Sequence, residues 1–200
     1  VHSFPTRRSS DLWIEEGELS NIRKAVESGV SGDLLSVLPP VTSPNWKSYL
    51  TGKNPGKLGI YWWENVDTDN HRVYYPEHRK NRETEFWEII AENERTGVMG
   101  VPTTHPPKSA GEFVVSGAPD ATNEDFTFPE SLEERLVDEY DYRPIVESEL
   151  RATPDRAAED ILKAIDAKFE AAADLYEEGN LDLLQVTTFY INSLHHYFWD

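Results

Sequence analysis

The feature of this sequence best suited to chemistry is a hydroxyl residue placed just before a predicted helix. Residues 38–60 read LPPVTSPNWKSYLTGKNPGKLGI. Pro44 suits a first helical position, because its φ is preset and its missing N–H would be unpaired there. Thr42 or Ser43 is therefore predicted to cap the helix, where free N–H groups and the helix dipole favour an anion such as phosphate. A hydroxyl at this point either serves only as a cap or attacks a bound phosphorus atom.

A second group of polar side chains follows an apolar run near the end of the chain. Residues 181–191 are a near-continuous run of β-formers, which predicts a strand buried on both faces, as in a parallel sheet. Asn192, His195 and His196 come directly after it. Open α/β sheets bind ligands at the carboxyl ends of their strands. Each His is either a ligand at that edge or, taken alone, an ordinary packing or surface residue.

Two blocks of the sequence resemble the type I phosphodiesterase/nucleotide pyrophosphatase family, a branch of the alkaline phosphatase superfamily. The first is the order Pro-Pro-x-Thr-x-Pro, Trp, Leu-Thr-Gly and Asn-Pro-Gly-Lys-x-Gly-Ile within residues 39–60. The second is Val-Pro-Thr-Thr-His-Pro-Pro followed by Val-Ser-Gly-Ala-Pro within residues 101–119. The resemblance covers nearly all of residues 13–200. It implies an alkaline-phosphatase-like α/β sheet with flanking helices, of which this chain is expected to be an incomplete part.

The resemblance implies roles for four residues. Thr42 stands where the family has its nucleophile, which is also a ligand of one zinc ion, and Asn45 stands where an amide holds a phosphate oxygen. His196 matches the His of a second zinc site, and Asn192 stands where that site has Asp. An amide oxygen brings no charge, and zinc prefers His, Cys and carboxylate ligands. The second metal is therefore expected to be weakly held, different or missing.

The cofactors implied are two divalent metal ions, zinc or alternatively manganese. The resemblance places their other ligands outside this chain: an earlier Asp in a Gly-x-Asp-Gly segment, a later Asp-His pair and a later His. Residues 1–200 alone are therefore expected to be inactive. Two metals ~4 Å apart with ligand bonds of ~2 Å would require the side chains of Thr42 and His196 to lie within ~12 Å of each other.

The activity implied is metal-dependent hydrolysis of a phosphodiester or nucleotide pyrophosphate bond in a small substrate, with Thr42 as nucleophile. Two alternatives stay open. One is other chemistry of the superfamily: phosphomonoester, phosphonate or sulfate hydrolysis, or phosphomutase transfer. The other is a non-catalytic relative that binds a phosphorylated ligand or a protein partner, which Asn192 favours.

The composition argues against several other classes of protein. The 200 residues carry a formal net charge of −18 at pH 7, whereas binding to a nucleic-acid duplex needs clustered Lys and Arg. Cys is absent, which excludes disulfides and thiolate metal sites. No run approaches the ~20 apolar residues of a membrane span, and the first residues lack the apolar segment of a secretory signal. A cytoplasmic location is therefore expected, and the acidity is also compatible with a high-salt source.

Hydrophobic periodicity predicts the elements that must position the candidate residues. The predicted helices cover residues 19–26, 83–94 and 154–178, and the predicted strands cover residues 33–38, 98–101 and 181–191. Thr153 and Pro154 supply a cap and a first-position proline for the longest helix, and Gly179 ends it. Residues 61–82 are predicted to be an irregular surface loop or an insertion on the substrate side. The alternation of helices and strands predicts an α/β fold.

The first twelve residues, VHSFPTRRSSDL, stand apart from the rest of the chain. They show no periodicity and resemble translated sequencing-adaptor sequence, so we expect a non-native or disordered segment that packs against nothing. The predicted organisation is therefore residues 1–12 as that segment and residues 13–200 as a partial alkaline-phosphatase-like domain.

Overall fold

The computed structural model describes the backbone of residues 6–32, 34–74 and 83–198, and their side chains from residue 11 onward. The helices are α1 (Thr6–Glu16), α2 (Ser20–Ser28), α3 (Thr42–Thr51), α4 (Pro55–Leu58), α5 (Phe86–Ile90), α6 (Ser131–Tyr140), α7 (Pro154–Gly179) and α8 (Tyr190–Phe198). The strands are β1 (Asn65–Asp67), β2 (Arg72–Tyr74), β3 (Thr96–Val101), β4 (Phe113–Ser116), β5 (Thr127–Phe128) and β6 (Leu183–Val186). Two compact units divide the chain: Val37–Tyr190 forms one, and Val1–Ser36 with Ile191–Asp200 forms the other.

A four-stranded sheet in the order β5-β4-β3-β6 is the centre of the Val37–Tyr190 unit. β3 runs parallel to both β4 and β6, and β5 is antiparallel to β4. Every residue of β3 is buried, which explains why its sequence is apolar without alternation. The predicted strand over residues 98–101 is thereby confirmed, and the α/β class with it.

Helices cover both faces of this sheet. On one face, Val98, Val101 and Val114 pack with Leu50 of α3 and Trp87 of α5. The other face packs against α6 and α7 through a larger cluster. The members of that cluster include Met99, Val115, Phe126, Leu136, Tyr142, Ala171, Ala172 and Leu175. The alternation of Val98 and Met99 between the two clusters is the period of two that a strand imposes.

The longest helix, α7, begins at the predicted residue and ends one residue later than predicted, at Gly179 instead of Glu178. Pro154 occupies its first turn, and Asn180 follows its last residue with φ of +44°. Asn is one of the few residues other than glycine that adopts this left-handed conformation readily. Ala157, Ile161 and Lys168 are among its buried residues.

Residues 34–38 do not form the strand that was predicted for residues 33–38. Residues 34–37 have no regular secondary structure, and the side chains of Leu34 and Leu35 are 93% and 95% exposed. A strand needs a hydrogen-bonded neighbour, and none of the described strands pairs with this segment. The apolar run over residues 33–38 has the composition of a strand, but the sequence does not show whether a neighbouring strand is there to pair with it.

Two other predicted segments differ from the structure. The helix predicted over residues 83–94 is only α5, because tight turn bonds follow it: the N–H of Asn93 donates to the carbonyl of Ile90 at 3.1 Å. Part of the predicted loop over residues 61–82 is the antiparallel hairpin β1–β2. Asp67 organises its turn by accepting the N–H of Asn70 at 3.1 Å. Residues 75–82 of that loop lie outside the described residues.

The amino-terminal residues of the other unit are helical. Residues 6–12, within the segment expected to be non-native or disordered, form the first turns of α1, and Leu12 is 51% exposed. α2 confirms the helix predicted over residues 19–26, yet its apolar face is open, with Ile22 50% and Val26 40% exposed. None of the helices in the described part of the chain combines the length and apolar character needed to cross a membrane.

Candidate active site

Thr42 and Asn45 lie together at the amino end of α3. The helix begins at Thr42, after Val41 in extended conformation, and its first backbone bond runs from the N–H of Asn45 to the carbonyl of Val41 at 3.0 Å. The prediction that Pro44 opens the helix behind a Thr42 or Ser43 cap is therefore wrong by two residues. Pro44 is the third helical residue, whose N–H would also lack an intrahelical partner, so proline is tolerated there.

This end of α3 has the chemical character of an oxyanion site. The N–H groups of a first helical turn have no acceptors within the helix, and the helix dipole adds partial positive charge. Thr42 is half-buried and Asn45 is exposed. Residues three apart lie on the same side of a helix, so a hydroxyl and an amide flank the same N–H groups.

A buried ion pair anchors α3 to the amino end of α5. Lys47 Nζ lies 2.9 Å from Glu85 Oε1, with the two side chains 4% and 1% exposed. Lys108 extends the network, since its Nζ lies 3.9 Å from Glu85 Oε2 and 3.2 Å from Glu88 Oε2. Glu85 and Glu88 also form the capping box of α5. The helix that carries Thr42 is thus fixed by charge as well as by the packing of Leu50.

Burial controls the titration of this pair. Desolvation lowers the pKa of Lys47, and the negative charge of Glu85 opposes that shift. Desolvation likewise raises the pKa of Glu85, opposed by the positive charges of Lys47 and Lys108. Each partner therefore depends on the other to remain ionised inside the protein.

The loops that follow β3 and β4 are joined at the carboxyl edge of the sheet. The N–H of Thr103 donates to Asp120 Oδ1 at 2.8 Å, although Thr103 has φ of +67°, an unfavourable value for a β-branched residue. Burial raises the pKa of Asp120, while backbone N–H groups, including that of His105, and the charge of Lys47 oppose the rise. Asp120 therefore connects this edge electrostatically to α3.

Asn192 and His196 lie on α8 rather than in a loop after a long strand. The strand predicted over residues 181–191 is only β6, and α8 begins at Tyr190. β6 ends at Val186 because its pairing with β3 ends there, opposite Met99, and the chain bends at residue 189 before α8. On α8, the spacing of four residues places Asn192 and His196 one helical turn apart on the same face. Asn192 is half-buried and His196 is exposed. His195 instead packs near Trp13, with ring centroids 6.1 Å apart.

The candidate residues form two pairs, one in each unit. Thr42 and Asn45 belong to the Val37–Tyr190 unit, whereas Asn192 and His196 belong to the other unit. The predicted approach of Thr42 to His196 stays a prediction. Within residues 11–32, 34–74 and 83–198, no group of three or more His, Asp or Glu side chains is placed to hold a metal ion. The chemistry of the donors fits zinc in part: imidazole is a preferred ligand, and the Asn192 amide is a weak one.

Sequence reasoning did not identify Lys47, Glu85 and Asp120. One local signal was available for Lys47, because it shares a helical face with Pro44 and Leu50, both buried. A lysine on such a face needs a counter-charge. The partner itself lies 38 residues away, beyond the reach of any pattern in the sequence.

The fold and the pair at the amino end of α3 define an α/β domain with a threonine hydroxyl and an asparagine amide in the first turn of a helix, a position that suits an anion. The chain belongs to the type I phosphodiesterase / nucleotide pyrophosphatase family, whose model matches residues 9–200. The mixed sheet with flanking helices is consistent with an alkaline-phosphatase-like fold. No curated protein and no solved structure matches the chain.

Proposed function

We propose that this chain carries the nucleophile of a metal-dependent hydrolase that cleaves phosphodiester or nucleotide pyrophosphate bonds in small substrates. The observation that carries the proposal is the position of Thr42, half-buried in the first turn of α3 with the exposed Asn45 one turn away. Family membership supports the same class of reaction.

Thr42 forms and then releases a covalent bond to phosphorus in this proposal. Its Oγ loses a proton and bonds to phosphorus while the bond to the leaving-group oxygen breaks and that oxygen takes up a proton, giving a phosphothreonine and a free alcohol or nucleoside phosphate. Water then attacks the same phosphorus, the bond to Thr42 breaks, and the hydroxyl regains its proton. The first-turn N–H groups and the Asn45 amide hold the remaining phosphoryl oxygens and stabilise their charge.

The ion-binding residues proposed in this chain are Thr42 for one metal and Asn192 with His196 for another. Members of the family are generally metal-dependent, and zinc or manganese is the candidate here. A bound divalent ion would lower the pKa of an attacking hydroxyl or water and neutralise phosphoryl charge. A catalytic zinc usually takes three protein ligands, so each ion needs ligands beyond these three residues.

The test is hydrolysis of bis(4-nitrophenyl) phosphate by the full-length protein that contains this chain, assayed with zinc and with a chelator. Thr42→Ala should abolish turnover, whereas Thr42→Ser should retain part of it because a hydroxyl remains. Thr51→Ala, at the far end of α3, is the matched control and should leave turnover unchanged. Unchanged turnover in Thr42→Ala would end the nucleophile assignment.

A non-catalytic relative that binds a phosphorylated ligand is the second candidate, and Asn192 is the observation that favours it. Restoring a carboxylate with Asn192→Asp should raise zinc affinity, measured by metal titration, because it adds a charged ligand next to His196. An inactive full-length protein that gains hydrolysis through this single change would support the non-catalytic interpretation. A full-length protein that is already active would exclude it.

A further inference from the structure

Lys168 is a buried lysine at the carboxyl edge of the central sheet. It lies in the second half of α7 with only 4% of its surface exposed. Its Nζ donates to the carbonyl oxygen of Thr187 at 2.9 Å. Thr187 follows β6, and its own N–H donates to the carbonyl of Met99 in β3 at 2.9 Å. The ammonium group is therefore held between the ends of two parallel strands.

The backbone around this ammonium group is shaped to admit it. Gly100 has φ of +76°, and a Cβ at that position would lie 2.8 Å from Lys168 Nζ and 2.5 Å from the Thr187 oxygen. The pairing of β3 with β4 shifts register at this point, between Met99 and Val101. Only glycine fits both the conformation and the space. Glycine at position 100 thus leaves space for the Lys168 ammonium group that any larger residue would fill.

The charge of Lys168 has no counter-charge among the described residues. Burial alone lowers its pKa to about 8. For Lys47, the other lysine that is buried among the described residues, the Glu85 carboxylate at 2.9 Å opposes the lowering of the pKa. One helical turn away on α7, Ala164 and Ala171 carry no charge. The groups that face it from other elements are Gly100, Thr187 and the ring of Tyr142.

Those neighbours leave hydrogen-bonding capacity unused. The ring centroid of Tyr142 lies 5.8 Å from Lys168 Nζ. Burial, and to a smaller extent the electrostatic effect of Tyr190, raise the pKa of the Tyr142 hydroxyl, so this side chain is neutral near pH 8. The Tyr142 hydroxyl is buried without a hydrogen-bond partner among the described residues, and so is the hydroxyl of Thr188, the residue that follows Thr187 in the chain. An ammonium has three donors, and a single acceptor for Lys168 is found in the described part of the chain.

We propose that Lys168 compensates the negative charge of a phosphoryl group or similar oxyanion bound at the carboxyl ends of β3 and β6. The inference rests on the proposed function, because it assigns a charge-balancing residue to the same phosphate chemistry. Ligands of open α/β sheets bind at this edge. A buried cation without a counter-charge is costly, and an anion placed nearby in a low dielectric offsets that cost without direct contact.

A consequence of this arrangement is that anion binding and protonation are coupled. Above pH 8 the free protein holds Lys168 largely uncharged, since its pKa is about 8. A bound anion favours the ammonium form, so binding takes up a proton and weakens as the pH rises. A purely structural role, in which Lys168 only ties the Thr187 carbonyl, predicts no such coupling.

The test is calorimetric titration of the 200-residue chain with inorganic sulfate at pH 8.5, in two buffers of different ionisation enthalpy and at constant ionic strength. Sulfate is a tetrahedral dianion that does not titrate in this range, so any proton uptake belongs to the protein. We expect net uptake on binding and affinity that falls between pH 7.5 and 9.5. Lys168→Met should weaken sulfate binding about tenfold and remove the uptake. Lys163→Met, at an exposed lysine of the same helix, should bind as the unaltered chain does.

Two controls separate this proposal from the others. Thr42→Ala should keep sulfate binding and the proton uptake that accompanies it. If this variant loses hydrolysis but still takes up a proton when sulfate binds, the proposal for Lys168 is supported independently of the nucleophile assignment. If Lys168→Met does not fold, NMR titration of the lysine side chains of the unaltered chain replaces it, and sulfate should then raise the pKa of Lys168. Absence of sulfate binding, binding without proton uptake, or a Lys168 pKa that sulfate does not move would overturn the proposal.

Discussion

Lys47 Nζ of α3 lies 2.9 Å from Glu85 Oε1 at the start of α5, and each side chain is at most 4% exposed. The pair links the helix that carries Thr42 to the segment that leads into β3. Removal of one partner from a buried ion pair leaves the other charge buried without that counter-charge. The resulting loss of folding stability is larger than the net stabilisation that the intact pair provides.

Lys47→Met should therefore lower the free energy of unfolding by about 3 kcal/mol, measured by urea denaturation. The double variant Lys47→Met with Glu85→Gln should recover part of that loss, because it removes a buried carboxylate whose remaining described counter-charge is Lys108 at 3.9 Å. Lys53→Met is the control, since Lys53 and its partner Glu83 are 43% and 32% exposed; its cost should stay within about 1 kcal/mol. A loss in Lys47→Met no larger than in Lys53→Met would contradict the anchoring role.

Lys168 should make the stability of the protein depend on pH between about 8 and 10. Burial lowers its pKa from an ordinary value of 10.5 to about 8 in the folded protein, so in this range the unfolded chain holds a proton that the folded chain has lost. Stability therefore rises with pH through this window and is lowest below it. Lys168→Met should be more stable than the unaltered chain near pH 7 by about 3 kcal/mol, and the difference should shrink by pH 10. Thermal unfolding of the variant and of the unaltered chain at pH 7, 8, 9 and 10 measures the difference in stability between them. A difference that does not change with pH would disprove the role of Lys168 in the pH dependence.

Thr103 should be a position where glycine stabilises the protein. A β-branched residue at φ of +67° is strained, at a cost of about 1–3 kcal/mol, and its buried hydroxyl has no partner among the described residues. Thr103→Gly should raise the free energy of unfolding by about 1 kcal/mol after the entropy cost of glycine. Thr104→Gly is the matched comparison: its hydroxyl donates to the Val101 carbonyl at 2.6 Å, so that change should destabilise by about 2 kcal/mol. Equal effects of the two changes in chemical denaturation would rule out the strain argument.

Gly100→Ala should be costly, because the added methyl carbon would meet the Thr187 oxygen at 2.5 Å and Lys168 Nζ at 2.8 Å. We expect a loss of about 3 kcal/mol from overpacking and the positive φ together. Gly52→Ala isolates the backbone component, since Gly52 has φ of +67° and an added methyl carbon there would meet nothing within 4 Å; it should cost about 1 kcal/mol. Differential scanning calorimetry of the two variants makes the comparison, and a Gly100→Ala variant no less stable than Gly52→Ala would show that the strand ends are not tightly closed around Lys168.

Short-range patterns determined several elements of this protein. The bounds of α7 follow from Pro154 at its start and from the residues after Glu178, because caps and φ preferences act within one turn. The short apolar run over residues 98–101 predicted a strand, and β3 contains it. The turn chemistry around Thr42 placed a hydroxyl at a helix terminus, with an error of two residues in where the helix begins.

Tertiary structure alone decided which of these features act together. The partner of Lys47 is 38 residues away, and the acceptor of Lys168 is 19 residues away. The segment over residues 33–38 and the end of the run over residues 181–191 have the composition of strands, yet a strand exists only where a neighbour supplies hydrogen bonds. Propensity and periodicity are properties of a few consecutive residues, whereas ion pairs, strand partners and the space left by Gly100 depend on chain segments that meet only in the folded state.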